Sequence, residues 1–152
     1  MIKIKNILLP TDFSNLSLTV FELASNLAEQ YSAKIHLLHV LEKTPPILTI
    51  RSLDLSEEKI VKTIEQDAQK KMENAVKKIK KHSNTEIEPV IRKGIDFEEI
   101  IKYAEKSKID LIVIATHGRT GIMHTLLGSV AEKVIRFSKT PVLVSKPKEA
   151  AK

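Results

Sequence analysis

Four short, almost unbroken apolar runs constrain this chain more than any other feature. They are Ile7-Leu8-Leu9, Lys34 to Leu41 (KIHLLHVL), Leu111 to Ala115 (LIVIA) and Pro141 to Ser145 (PVLVS). Runs of this length, without polar alternation, suit parallel strands covered by helices on both faces. The first strand is read as Ile4 to Leu9, closed by Pro10. A fifth segment, Glu86 to Lys93, carries Pro89. Proline cannot donate to a ladder, so this strand is placed at a sheet edge. LIVIA is the most apolar run and is assigned to the centre of the sheet.

Helical periodicity fills the gaps. Ser14 or Asn15 caps a helix to about Gln30 or Tyr31, with Leu16, Val20, Leu23, Ala24, Leu27 and Tyr31 on one face. Ser56 opens a long helix to about His82, whose inner face is Ile60, Ile64, Ala68, Met72, Ala75 and Ile79. Asp96 and Glu99 have the spacing of a capping box for a helix to about Ser107. A last helix comes after the glycine loop and runs to about Phe137, with Ile122, Leu126, Leu127, Val130, Val134 and Ile135 inward. Residues 44–55, opened by Thr44-Pro45-Pro46, carry no clear pattern, and 146–152 read as a polar tail. The order β-α-β-α-β-α-β-α-β specifies an open five-stranded parallel sheet with helices on both faces and right-handed crossovers. With 152 residues, the whole chain 1–152 is read as one domain.

Several function classes drop out. The chain has no Cys, which removes disulfides, thiolate metal sites and Cys nucleophiles. No apolar run approaches the roughly 18 residues of a membrane span, and no cleavage site comes after the first apolar run, so the expected address is cytoplasmic. The net charge is +6. Residues 1–50 and 51–100 are each neutral, and the whole excess lies in residues 101–152. The lysine-rich stretch Lys70, Lys71, Lys77, Lys78, Lys80 and Lys81 therefore sits in a balanced segment and reads as a solvated helix face, not a nucleic-acid surface.

In an open parallel sheet, ligands bind beyond the carboxyl ends of the strands, where the strand order switches. Three places qualify: Pro10-Thr11-Asp12, Val40-Leu41, and Ala115 to Gly121. The last reads Ala115-Thr116-His117-Gly118-Arg119-Thr120-Gly121, with Gly128-Ser129 in the next helix. Glycines let backbone N–H groups approach an anion, a helix N-terminus adds a favourable dipole, and Arg119 supplies charge. Asp12 suits either a helix cap or a ligand contact. Neither G-x-x-x-x-G-K-[ST] nor G-x-G-x-x-G is present. His117 has no nucleophile at a recognisable spacing and is read as a positioning or structural residue, and Ser129 lies outside any G-x-S-x-G elbow. His36 and His39, three apart in a strand, fall on opposite faces and cannot share a metal.

The segments Ile7-Leu8-Leu9-Pro10-Thr11-Asp12-Phe13-Ser14, Leu37-Leu38-His39-Val40, Asp110 to Ile114, Gly128-Ser129-Val130-Ala131-Glu132 and Pro141 to Val144 together resemble the universal stress proteins. The nucleotide-binding branch of that family carries G-x2-G-x9-G-[ST]. The matching positions are Ala115, Gly118, Gly128 and Ser129, with the x9 spacing intact and alanine in place of the first glycine. The resemblance implies a Rossmann-like sheet in the order 3-2-1-4-5. It also implies that Asp12 and Val40 contact adenine and ribose, that Pro10 and Thr11 shape that pocket, and that Gly118, Arg119, Gly128, Ser129 and Val130 line the phosphates. The implied ligand is ATP, or ADP or AMP, with Mg²⁺ or Mn²⁺ on the phosphates. The implied partner is a second copy, joined through Pro141 to Ser145. A cytoplasmic stress-response module that binds and signals is expected, with slow hydrolysis at most. Two alternatives remain open at this level: a nucleotide-free interaction module, motivated by Ala115, and an ATP-using enzyme of adenylating type.

Overall fold

The computed structural model describes residues 3–18, 20–42, 56–116 and 127–146. Its strands are β1 (Asn6–Pro10), β2 (Lys34–Leu41), β3 (Ile87–Lys93), β4 (Leu111–Ala115) and β5 (Val142–Ser145). Its helices are α1 (Asn15–Leu18), α2 (Val20–Tyr31), α3 (Glu57–Lys80), α4 (Asp96–Lys106) and α5 (Ser129–Phe137). All strand pairs are parallel, and the order across the sheet is β3-β2-β1-β4-β5. Residues 43–55 and 117–126, which carry part of the glycine loop and the start expected for the last helix, lie outside the described residues.

Alternating side chains sort the strands onto two cores. Ile7, Leu9, Ile35, Leu37, Val113 and Ala115 point to one face, where α2 supplies Val20, Phe21 and Ala24 and α3 supplies Met72, Ala75 and Ile79. Leu8, Leu38, Ile112 and Ile114 point to the other, against Ile100, Tyr103 and Ala104 of α4 and Ala131 and Val134 of α5. Burial on both faces is why the strands read as continuous apolar runs rather than alternating ones.

Four expectations are corrected. The central strand is β1, not LIVIA, which is the next strand over. Both strands are buried at all but their first residue, and position is set by the crossovers rather than by hydrophobicity. The cap of α4 is Ile95, so Asp96 is already helical. Its carboxylate accepts the Phe97 N–H at 2.8 Å, and no capping box forms. Tyr31, Ile64 and Ile135 are 42%, 39% and 42% exposed, because each lies at the margin of the stripe its helix buries on the sheet. Finally, Gly128 is not inside the last helix. Its extended backbone (φ −71°, ψ 152°) makes it the residue before the first turn of α5.

The edge position of β3 agrees with Pro89, which pairs in register with Leu37 of β2. At the amino ends of the strands, the Asp110 carboxylate accepts the N–H groups of Lys5 and Asn6 at 2.8 and 3.0 Å, and ties β1 to the start of β4.

Leu8 is fully buried between β1 and α4. Leu8→Ala should lower stability by about 2–5 kcal/mol in urea unfolding, and Ile64→Ala by far less.

Candidate functional site

Strand order reverses between β1 and β4. The chain moves outward one way through β2 and β3 and the other way through β5. At this switch the ladder is short. β1 and β4 pair only at Ile7–Leu111 and Leu8–Ile112, while β1 and β2 stay paired to Pro10–Leu38. Pro10 has no N–H with which to prolong a ladder toward β4. The sheet therefore opens into a crevice between the carboxyl ends of β1 and β4, where open α/β sheets bind ligands.

The β1 side of the crevice is a tightly bonded loop. Thr11 continues toward β2, its N–H donating to the Leu38 carbonyl at 2.9 Å. Its hydroxyl accepts the Phe13 N–H at 3.0 Å and meets the buried Ser17 hydroxyl at 3.0 Å. The Asp12 carboxylate accepts the Ser14 N–H at 2.9 Å, an Asx turn. The Ser14 hydroxyl in turn accepts the Ser17 N–H at 3.1 Å. The helix is therefore capped by Ser14, and Asp12 folds the loop that leads into it. Phe13 sits at φ 62°, a left-handed conformation that costs a non-glycine residue about 1–2 kcal/mol.

The β4 side is built from the chain's return. Thr116, buried at the end of β4, donates its N–H to Ser145 at 3.0 Å and accepts a hydrogen bond from the Gly128 N–H. Gly128 is thereby brought against the end of β4, and α5 begins there. Its first helical bond runs from the Glu132 N–H to the Gly128 carbonyl at 2.9 Å. The N–H groups of Ser129, Val130 and Ala131 have no partner within the helix, and among the described residues no side chain caps it. This is the positive end of the helix dipole beside the crevice.

The predicted residues thus divide. Pro10, Thr11 and Asp12 flank the crevice on one side, and Gly128, Ser129 and Val130 on the other. Val40, half-buried, packs with the core shared by α4 and α5. Ala115 ends β4, and its methyl group belongs to the opposite core, with α2 and α3. His117, Gly118 and Arg119 lie outside the described residues. A cleft of about 400 Å³ borders the same loop on the α3 side, between Asp12–Ser14 and the Lys71–Lys78 stretch.

Two buried histidines escaped a functional reading. They do take opposite faces. His39 Nδ1 bonds the Thr11 carbonyl at 2.8 Å, and its ring lies 4.3 Å from that of Phe13. His36 bonds the Tyr103 hydroxyl through Nδ1 at 2.8 Å and the Asn6 amide oxygen through Nε2 at 3.2 Å. Asn6 donates its amide to the Lys108 carbonyl, which leaves its oxygen for the histidine. Neutral His36 with hydrogen on Nε2 satisfies both contacts. Glu88 lies 3.9 Å from it, Lys34 pairs with Glu86 and Glu88 at 3.0 and 2.8 Å, and the Arg92 guanidinium lies over Tyr103. Burial lowers the His36 pKa, opposed by the Glu88 charge. The hydrogen bond from Lys34 lowers that of Glu88. The signal for both histidines was present in the sequence, as imidazoles in an otherwise apolar strand, but their partners come from distant elements.

Known proteins share this architecture. The universal stress protein family profile matches residues 3–146. The chain belongs to the universal stress protein family. It is similar to the universal stress protein MJ0531 of Methanocaldococcus jannaschii, with 36% identity over 146 residues, 95% of this chain and 84% of that protein. It is 33% identical over 158 residues to MJ0577 of the same organism, 96% of this chain and 97% of that one. The solved structure of MJ0577 superposes with a TM-score of 0.82 over 97% of this chain and 99% of its own. Universal stress proteins solved with cyclic AMP and, from Archaeoglobus fulgidus, with dAMP share the fold at TM-scores of 0.72 and 0.65. They are 23% and 22% identical to this chain and cover 96% and 95% of it, and 99% and 98% of their own. The family assignment and the strand order 3-2-1-4-5 both agree with the sequence reading.

A lowered histidine pKa gives stability that is present above the ordinary value near 6.5 and lost as pH falls through the folded value. Urea unfolding should therefore show stability declining below about pH 6.5. His36→Gln should flatten that part of the decline, leaving the carboxylate losses at lower pH.

Proposed function

We propose that this universal stress protein binds an adenine nucleotide in the crevice between β1 and β4. The observation that carries the reading is the first turn of α5, without a side-chain cap among the described residues and held by the Gly128–Thr116 hydrogen bond at the open switch point, across from Asp12. Free N–H groups at a helix N-terminus suit phosphate oxygens. The Asp12 carboxylate suits the hydroxyl and amino donors of a nucleoside. Related proteins of this fold were solved with cyclic AMP and dAMP, which supports the adenine nucleotide class.

In this reading Asp12 and Val40 contact adenine and ribose, with Pro10 and Thr11 shaping the pocket. Gly118, Arg119, Gly128, Ser129 and Val130 surround the phosphates, and His117 positions their loop. ATP is the proposed ligand, with ADP or AMP as the alternatives. Among the described residues no cluster of His, Asp and Glu could hold a metal. A Mg²⁺ or Mn²⁺ ion would therefore be held chiefly by phosphate oxygens, screening their charge. Ala115 does not argue for a nucleotide-free module, because its methyl group packs into the core on the far face. The proposed role is cytoplasmic stress signalling, with bound nucleotide biasing the loops around the crevice and hence partner binding. Among the described residues no helix is long and apolar enough to cross a membrane. Dimerisation is assigned to β5, which among the described residues pairs only with β4.

Denatured, purified protein should release adenine nucleotide on ion exchange, or the empty protein should bind MgATP by calorimetry. Failure of both overturns the reading. Asp12→Ala should weaken MgATP by about 10- to 100-fold, the loss of a charge-assisted hydrogen bond. For the dimer, light scattering should give twice 17.1 kDa, and a monomeric mass would count against β5 pairing.

A further inference from the structure

We infer that His39 is a positioning residue that latches the Pro10–Ser14 loop and so sets the aim of Asp12. This rests on the nucleotide reading for its consequence, though the latch stands on geometry. His39 is 6% exposed, near the end of β2, on the face covered by α2 and α3. Its Nδ1 lies 2.8 Å from the Thr11 carbonyl oxygen. A carbonyl oxygen only accepts, so Nδ1 carries the hydrogen. The bond is thus directional and reaches from strand to loop across 28 residues of sequence.

The same ring packs on Phe13, with centroids 4.3 Å apart and planes tilted by 35°. Phe13 is the residue forced into the left-handed region, at φ 62°. Strain of this kind persists only where the surroundings over-determine it. Here His39 holds both flanks of the strained peptide, the Thr11 carbonyl before Asp12 and the Phe13 ring after it. Asp12 lies between two points fixed by one side chain. Val40, the next residue along the strand, faces the other core, so a ligand lying on Val40 does not touch His39. The imidazole acts through the loop.

The test compares wild type with His39→Leu, His39→Asn and His39→Gln. An asparagine amide N–H sits where Nδ1–H does, whereas a glutamine amide reaches the Nε2 position instead. His39→Leu should weaken MgATP about tenfold, the worth of one buried hydrogen bond, and His39→Asn should restore most of it. Hydrogen exchange gives a readout that does not need the nucleotide. In His39→Leu the Phe13 and Ser14 amides should exchange faster while those of β2 and β4 keep their protection. If His39→Leu does not fold, His39→Gln takes its place in both measurements. Unchanged exchange at Phe13 and Ser14, or His39→Asn as weak as His39→Leu, would overturn the latch. Wild-type protein that never binds MgATP would instead sink the nucleotide reading, and the exchange data would still decide the latch.

Discussion

The structure depends on the confinement of β1. Ile7, Leu8 and Leu9 are wholly buried, with strands on both edges and helices on both faces. Every backbone N–H and carbonyl in such a strand must be satisfied by its neighbours, because no water can reach it. Pro10 is the point at which that requirement relaxes. It lacks a donor, the ladder to β4 has already ended, and the chain leaves the sheet at its centre. The crevice is thus a by-product of how the central strand terminates.

The loop after Pro10 is a compact solution to the same matching of donors and acceptors. Thr11, Asp12 and Ser14 each use a short side chain to take a backbone N–H that would otherwise be exposed, and Ser17 closes the set from inside the helix. The carbonyl of Thr11 is claimed by His39. A loop bonded this densely can display a carboxylate at low entropic cost to a ligand, since little remains to be ordered on binding. The opposite wall works by omission: α5 starts without a side-chain cap.

The strands, their parallel pairing and the edge position of β3 were legible because double burial leaves a simple trace: continuous apolar runs and a proline where no donor is needed. Hydropathy placed LIVIA at the centre, since the two strands are equally buried, and only the family resemblance gave the true order. Gly128 was read as lying within the last helix because a glycine set in the period of Leu127, Val130 and Val134 gives no sign of being a cap. Ser14 was readable as a helix cap, whereas Asp12, read as a cap or a ligand contact, makes the turn before it. Phe13 was not, because nothing in a phenylalanine announces a left-handed backbone. His39 was read as packing, since its partner is 28 residues away and only the strand register brings it near.

Pro89 has one more effect. It gives β3 a backbone with a missing donor, and Glu86, Glu88, Arg92 and Lys93 surround it with charge. β5, at the other margin, offers Val142-Leu143-Val144-Ser145, with every donor present and no charge of its own. A strand arriving from another molecule meets a blunted border on one side and a receptive one on the other. The sheet is polarised laterally: among the described residues, β5 presents a less guarded margin than β3.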